Sequence, residues 1–489
     1  MSLTSKGLDH YGYIKEDNQH LTFQLKQPGS NQTDHYPVTT VNGIQTGHLE
    51  VNSDLPLHVN GVFTWEAGPA VSRSCEINSV TGNISNSDMN NLLENQQSQA
   101  TSDGVVSYGF YDAGSGFGDV PYTSHHQSYV YYGDQHRADW MGNLVANHAG
   151  LGAKPFSTFV LPGGHDVGMN TSKNIAEVAN NAKSLAAILT KFAEWIAEKY
   201  NIGLADVIAL LGGFVESQIE LIMINLGITQ KDTITHMLDM GIRYFDFRPG
   251  YNAVIDGQKV ASGDGLYHQH NFLPGMAFPD FLREVVSFLE DHPQEIVVVS
   301  LGFAGFYSDE MKPGAPVLKD AVNQALQGSS INSGNVDDAG TSYQDLINSN
   351  KRLLFFNNGA GVDDALKYDS YSDGAYQTLV PEPILGALNG MQTTPPTDPS
   401  YQYTVLQFQG TASGVSSLWP KLALYTNQAS SPLLMTKGYF DSQTYAWAQG
   451  KLGQFDPDFP LALINDFVDP AFSQIAEEAT LTRANLKDS

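Results

Sequence analysis

From residue 1 to about 150 the chain alternates apolar and polar side chains in short runs between clusters of Gly, Asn, Ser and Thr. His20-Leu-Thr-Phe-Gln-Leu25 and Gly61-Val-Phe-Thr-Trp-Glu66 are examples. A period of two puts the apolar set on one face of a strand, so this region reads as an all-β, sandwich-like accessory domain. The texture changes from about residue 156. Short apolar runs at 156–160, 241–248, 266–270, 295–301, 352–356, 403–409 and 461–466 are separated by segments of helical period. In the clearest segment, Phe278, Phe281, Leu282, Val285, Val286 and Leu289 fall on one helical face. Seven strand candidates alternating with helices imply an α/β fold with a mainly parallel sheet. A (β/α) TIM-type barrel over 151–489, with allowance for irregularity, accounts for them better than an open doubly wound sheet. The doubly wound sheet stays as the alternative, although the first strand–helix connection lacks the glycine fingerprint of a dinucleotide site. The stretch from His165 to Asp246 exceeds one connection plus a helix, which places a helical insertion at about 173–228. Residues 204–226 are expected to cap the barrel mouth or touch a lipid interface; the plainer alternative is helices packed against the barrel or the β domain.

Composition narrows the partners. The 489 residues hold 25 Lys+Arg against 52 Asp+Glu, a net charge of -27, and one cysteine, Cys75. No intrachain disulfide is possible. Such an acidic chain is not expected to bind nucleic acid or to adhere broadly to a membrane, so an anionic ligand must meet one positioned cation. No long uncharged apolar run occurs, and the richest stretch, 204–228, is broken by Asp206, Glu216 and Glu220. A transmembrane segment is therefore not expected. Residues 1–9 carry one lysine and no apolar core, which does not read as a signal peptide. The expectation is a soluble protein, cytosolic or secreted without a leader.

Three clusters put polar residues at the ends of apolar strands, where barrel enzymes assemble their active sites. The first is Val160-Leu-Pro-Gly-Gly-His165-Asp166-Val-Gly168, with glycines on both sides of a His-Asp pair. In the second, Gly241-Ile-Arg-Tyr-Phe-Asp246-Phe-Arg248, strand periodicity puts Asp246 and Arg248 on one face and Phe245 and Phe247 on the other. Arg243 falls opposite Arg248 and reads as structural. The third, Leu266-Tyr-His268-Gln-His270-Asn271, places two histidines on one face, and Leu461-Ala-Leu-Ile-Asn465-Asp466 brings a last carboxylate to the rim. Two histidines and a fixed guanidinium suit acid–base cleavage of a phosphodiester. One imidazole takes the proton of the attacking hydroxyl, the other protonates the leaving oxygen, and the arginine neutralises the phosphoryl oxygens.

In order and character these clusters, with Thr229-Gln230 and with Phe281-Leu-Arg-Glu-Val-Val-Ser-Phe-Leu-Glu-Asp-His-Pro293-Gln-Glu295-Ile-Val-Val-Val-Ser300, resemble a known family. It is the phosphatidylinositol-specific phospholipase C X-domain family, phospholipase C-like phosphodiesterases of TIM-barrel fold. The strong part of the resemblance spans about 156–302 and a weaker remainder runs to about 480. The resemblance implies that His165 is the general base and His270 the general acid. It further implies that Asp466 orients His165, while Asp166 and Asp246 support Arg248 and the second histidine. It implies a metal-independent branch, with Arg248 where calcium-dependent members place an acidic ligand, and hence no cofactor. His268, Asn271 and Asn357 are expected to contact substrate, His268 alternatively standing behind the site. The substrate implied is a phosphoinositide or related phospholipid, with peripheral contact to a membrane interface. The sequence departs from the family pattern at Gly164, Val167, Asn271, Gly302 and Asn357. The last two replace basic residues that face the inositol headgroup.

Two other enzyme or binding classes compete. A glycerophosphodiesterase-like barrel would need a His-Arg-Gly opening, which is absent; a catalytically inactive barrel in a membrane- or glycan-binding protein fits the substitutions at Gly164, Val167 and Asn271. His125, His126 and His136 match no standard zinc spacing and read as strand decoration. Asp363, Asp364, Asp369 and Asp373 lack the glycine and terminal Glu of an EF-hand loop, and Ser413 lies one place from a nucleophile elbow.

Overall fold

A computed structural model of the chain describes residues 6–52, 59–114, 125–134, 137–181, 185–200, 203–211, 216–362, 369–370, 375–376, 378–395, 403–410 and 431–484. His136, Asp363, Asp364, Asp373 and Ser413 lie outside them.

The first 133 residues build two five-stranded sheets. One runs Gln45–Glu50, Gly7–Ile14, His126–Gly133, Val105–Tyr111, Gln99–Ala100; the other runs Thr33–Pro37, Leu21–Lys26, Asn60–Ala67, Val71–Asn78, Ile84–Ser85. Their facing side chains, among them Phe23, Phe63, Trp65, Tyr108 and Val130, form one buried cluster. The strand His126–Gly133 is buried at all eight positions. Its even-numbered residues Val130 and Tyr132 join that cluster, while Tyr129 and Tyr131 pack with the core of the second half. A strand covered on both faces shows no alternation, which is why this one reads as continuously aromatic. The helix Trp140–Asn147 packs with Phe159, Tyr244 and Val298 rather than with these two sheets, so the chain changes unit soon after Gly133.

The second half is organised by one eight-stranded sheet. Its order is Asn332–Asn335, Lys351–Asn358, Val297–Gly302, Tyr244–Phe247, Val160–Gly164, Leu461–Asn465, Thr404–Gln407, Asp369–Ser370, with every neighbouring pair parallel. Between Lys351–Asn358 and Thr404–Gln407 lie five strand spacings, roughly 24 Å on a flat sheet. Yet the rings of Phe356 and Tyr403 are 4.9 Å apart. The sheet therefore curls until its inner faces meet, although its two end strands are not paired to each other among the described residues.

Two expectations change. The run at 156–160 is a turn of 3-10 helix, Phe156–Thr158, and the first strand starts only at Val160, so Pro162, Gly163 and Gly164 belong to it. The run at 266–270 contributes Tyr267–His270 not to the parallel sheet but to a small antiparallel one with Pro249–Gly250 and Leu273–Ala277. The reason is the two-residue loop Asn271-Phe272, with Asn271 at φ 61, which turns the chain straight back into a hairpin.

The insertion consists of the helices Lys173–Ala179, Leu185–Tyr200, Leu204–Leu211 and Glu216–Gly227. Ile175, Met223 and Leu226 are buried, and Asn174 Nδ2 donates to Gly275 O at 2.6 Å, so the first and last of these helices pack on the hairpin sheet. Leu204 and Ile208, one turn apart, are exposed. No described helix is long and apolar enough to cross a membrane.

Candidate active site

The C-terminal ends of the first, second and last core strands converge. His165 follows Gly164, Arg248 follows Phe247, and Asp466 follows Asn465. His165 Nδ1 lies 2.9 Å from Asp466 Oδ1 and its Nε2 lies 3.2 Å from Arg248 Nη2. Arg248 Nε pairs with Asp166 Oδ1 at 2.8 Å and Nη2 with Asp246 Oδ2 at 3.2 Å. Asp246 and Arg248, two apart at the strand's end, meet through their side chains, while Phe247 between them packs on Phe281, ring centroids 4.5 Å apart. Arg243 is fully buried and paired with Glu295 at 2.8 Å, away from this group.

Bonding fixes the proton on His268. Its Nδ1 faces the Arg248 backbone N–H at 3.2 Å, which can only donate, so Nδ1 accepts. The ring's proton therefore sits on Nε2 and is donated to Asp166 Oδ1 at 3.2 Å. Burial pushes the His268 pKa down, only partly opposed by Asp166, which favours this neutral form. Fully buried behind Asp166, His268 touches that carboxylate and the Arg248 backbone rather than the cleft. Asp166 thus supports His268, and its other oxygen lies 3.4 Å from His165 Nε2. His270 stands in the hairpin with its ring edge-on to Trp195 of the insertion, centroids 5.8 Å apart. Asn271 forms the hairpin turn, its carbonyl accepting Tyr307 N–H, and Asn357 Oδ1 accepts Gly359 N–H. The contacts described for these three residues are with Trp195, Tyr307 and Gly359.

Charge is unevenly matched at the site. Burial works against a charged His165, but the carboxylates of Asp166 and Asp466 outweigh it and raise the pKa to about 9. Burial opposes ionisation of Asp166 as well, but the Arg248 guanidinium, with His165 behind it, holds its carboxyl well below the usual range. Asp466 is pushed up by burial, with His165 offsetting part of the shift. When neutral, His165 gives its Nδ1 proton to Asp466 and leaves the Nε2 lone pair beside Arg248. That is the arrangement of an oriented general base next to an anion-binding guanidinium.

Two residues quoted above for the resemblance, without a role, brace this geometry. Thr229 Oγ1 donates to Asp166 O at 2.8 Å, and Thr229 O accepts Phe467 N–H at 2.8 Å. Both partners have left-handed backbone, φ 45 at Asp166 and φ 47 at Phe467, which non-glycine residues keep only where surroundings impose it. Gln230 Nε2 donates to His165 O and Asn465 O at 2.9 and 3.0 Å, and its Oε1 accepts Val468 N–H. One buried amide thus ties the first strand to the last. Their signal in the sequence was two polar residues beside an apolar helix, which burial obliges to find partners.

His165, Asp166 and Asp246 also lie close enough together to hold a metal ion. Arg248 already engages the last two carboxylates, and a cation there would face the guanidinium.

No family model matches the chain. It is 30% identical over 183 residues to PI-PLC X domain-containing protein 2 of Mus musculus, a match covering 37% of this chain and 43% of the mouse protein. The same identity and length hold for the Homo sapiens protein of that name, 48% of which is covered. The match thus spans less than half of either relative. Among solved structures, a phosphatidylinositol-specific phospholipase C of S. aureus superposes over 70% of this chain and 97% of its own, with 14% identity and a TM-score of 0.40.

Proposed function

We propose, from the similarity of the chain to PI-PLC X domain-containing proteins, that it is a metal-independent phospholipase C-like phosphodiesterase. In this reading the curled sheet is an incompletely closed TIM-type barrel and the two five-stranded sheets before it are an accessory domain. The observation that carries the reading is the pairing of His165 with Asp466 on one ring nitrogen and with Arg248 at the other. Arg248 grips two phosphoryl oxygens. His165 Nε2 takes the proton of a neighbouring substrate hydroxyl, whose oxygen forms the new bond to phosphorus. The bond from phosphorus to the leaving alkoxide breaks, His270 supplies that oxygen's proton, and a cyclic phosphate results. Phosphoinositide or a related phospholipid is the substrate class, met at a membrane interface. Turnover on a panel of phosphodiesters tests the activity itself. Cleavage is expected for diesters carrying a hydroxyl next to the phosphate and not for those lacking one; turnover of none would favour an inactive barrel.

Two further results follow. Chelation with EDTA leaves the rate unchanged, because Arg248 supplies the positive charge; a rate lost to EDTA and restored by calcium would contradict this. The base must be neutral to accept a proton, and the neighbouring carboxylates hold His165 protonated up to about 9, so NMR of the ring should show His165 titrating near that pH. Titration of that ring near the ordinary histidine value, about 6.5, would mean that the free protein does not hold His165 among these carboxylates.

A further inference from the structure

Asp9, His48 and His125 come together on the first five-stranded sheet, far apart in sequence. Asp9 lies directly across from His48 on the neighbouring strand Gln45–Glu50, and across from Gln127 on the other side. Strand periodicity puts His125 on the same face as Gln127, hence on the face of Asp9. Both histidines turn the same nitrogen toward the one carboxylate: His48 Nδ1 is 2.6 Å from Asp9 Oδ1 and His125 Nδ1 is 3.1 Å from Asp9 Oδ2. The three donor atoms lie within 4.8 Å of one another. Ligands bound to one tetrahedral ion at about 2.0–2.1 Å stand roughly 3.3 Å apart, so small side-chain shifts bring all three onto a common centre.

The backbone makes room for this. A Cβ on Gly7 would stand 2.5 Å from His48 Nε2, so the ring occupies space that only glycine leaves free. His126, next in sequence, points to the other face, where its Nδ1 accepts Ala113 N–H at 3.0 Å. Only one histidine of that pair is therefore available. The site's outer side is open, His48 and His125 being 36% and 45% exposed, which leaves a place for water as fourth ligand.

We propose that Asp9, His48 and His125 bind one divalent transition-metal ion, with zinc the best fit to two imidazoles and a carboxylate. The ion cross-links three chain segments, from Gly7–Ile14, Gln45–Glu50 and the residue leading into His126–Gly133, in a protein whose one cysteine rules out an intrachain disulfide. Each imidazole gives up its Nδ1 proton to solvent as the metal takes its place.

Equilibrium dialysis of the metal-stripped full chain against Zn²⁺, read by elemental analysis, tests the site. Wild type is expected to retain one zinc that the double variant His48→Ala/His125→Ala loses, with at least tenfold weaker binding, and that His165→Ala keeps. Zinc should raise the melting temperature of wild type and not of the double variant. Asp9→Asn, nearly isosteric, gives the same loss without removing a ring if the double variant folds poorly. Equal zinc retention in wild type and both sets of variants, loss only in His165→Ala, or no retained zinc would each overturn the proposal.

Discussion

His165→Ala is expected to lower kcat/KM by about 10²–10⁴-fold, the range that a general base contributes, while the protein keeps its melting temperature within a few degrees. The ring is one-fifth exposed at the rim, so removing it opens the cleft rather than a core cavity. Asp166 keeps Arg248 and His268 as partners, and Asp466, which burial already pushes up, takes a proton once its imidazole partner is gone. The effect should fall on kcat, because Arg248 still binds phosphate. Asp466→Asn is the informative companion. It preserves the shape of the pair but replaces the acceptor at Nδ1, so the loss is smaller and the titration of His165 moves to lower pH. An unchanged rate in His165→Ala, or a loss explained by unfolding in circular dichroism, would remove the base from the account.

Lys437→Met is expected to cost about 3–5 kcal/mol of stability, the usual effect of breaking a buried ion group on one side. Lys437 is 2% exposed and its ammonium donates to Asp441 at 2.6 Å and Asp469 at 2.9 Å, both carboxylates being sealed from solvent. It lies 5.5–5.8 Å from the ring centres of Tyr129, Tyr131 and Tyr445. Burial already pushes Asp441 up to about 6 despite the lysine. Without that charge two acids face each other in a dry site, and one must be protonated for the chain to fold. Denaturant unfolding checks this, and adding Asp469→Asn to the variant should recover part of the loss. A change below about 1 kcal/mol, within the range of exposed ion pairs, would mean that the network is not tightly held. Asn465 Nδ2 donates to Asp441 Oδ1 and Tyr131 Oη donates to Asp441 Oδ2, so the same cluster joins the N-terminal sheets to the strand that carries Asp466.

What could be read in advance was whatever local periodicity decides. Asp246 and Arg248 meet because they are two apart at a strand's end, and Asp466 reaches the rim because a buried apolar run ends just before it. The helix Phe278–Asp291 was legible from its stripe of buried side chains. Partners set by long-range packing were not legible. Nothing in the run 266–270 says that Leu273–Ala277 will pair with it antiparallel, or that His268 will face Asp166 across 102 positions of chain. Thr229 and Gln230 acquire their roles only when the first and last core strands meet. Lys437 looks like an ordinary helical lysine until Asp469 and the tyrosines close over it. The trio of Asp9, His48 and His125 escaped spacing rules because two strand pairings, not one motif, assemble it. The strands Asn332–Asn335 and Asp369–Ser370 are polar and short, and only their neighbours make them strands.

Phosphorus NMR of the reaction on phosphatidylinositol vesicles, in the presence of EDTA and with wild type and His165→Ala side by side, tests the proposed chemistry most directly. Wild type should convert the diester resonance into that of a cyclic inositol phosphate before any monoester appears, and the variant should leave the substrate signal standing. A wild-type spectrum showing a monoester without a cyclic precursor, conversion only after calcium is added, or equal conversion by both proteins would contradict cleavage by His165 beside Arg248.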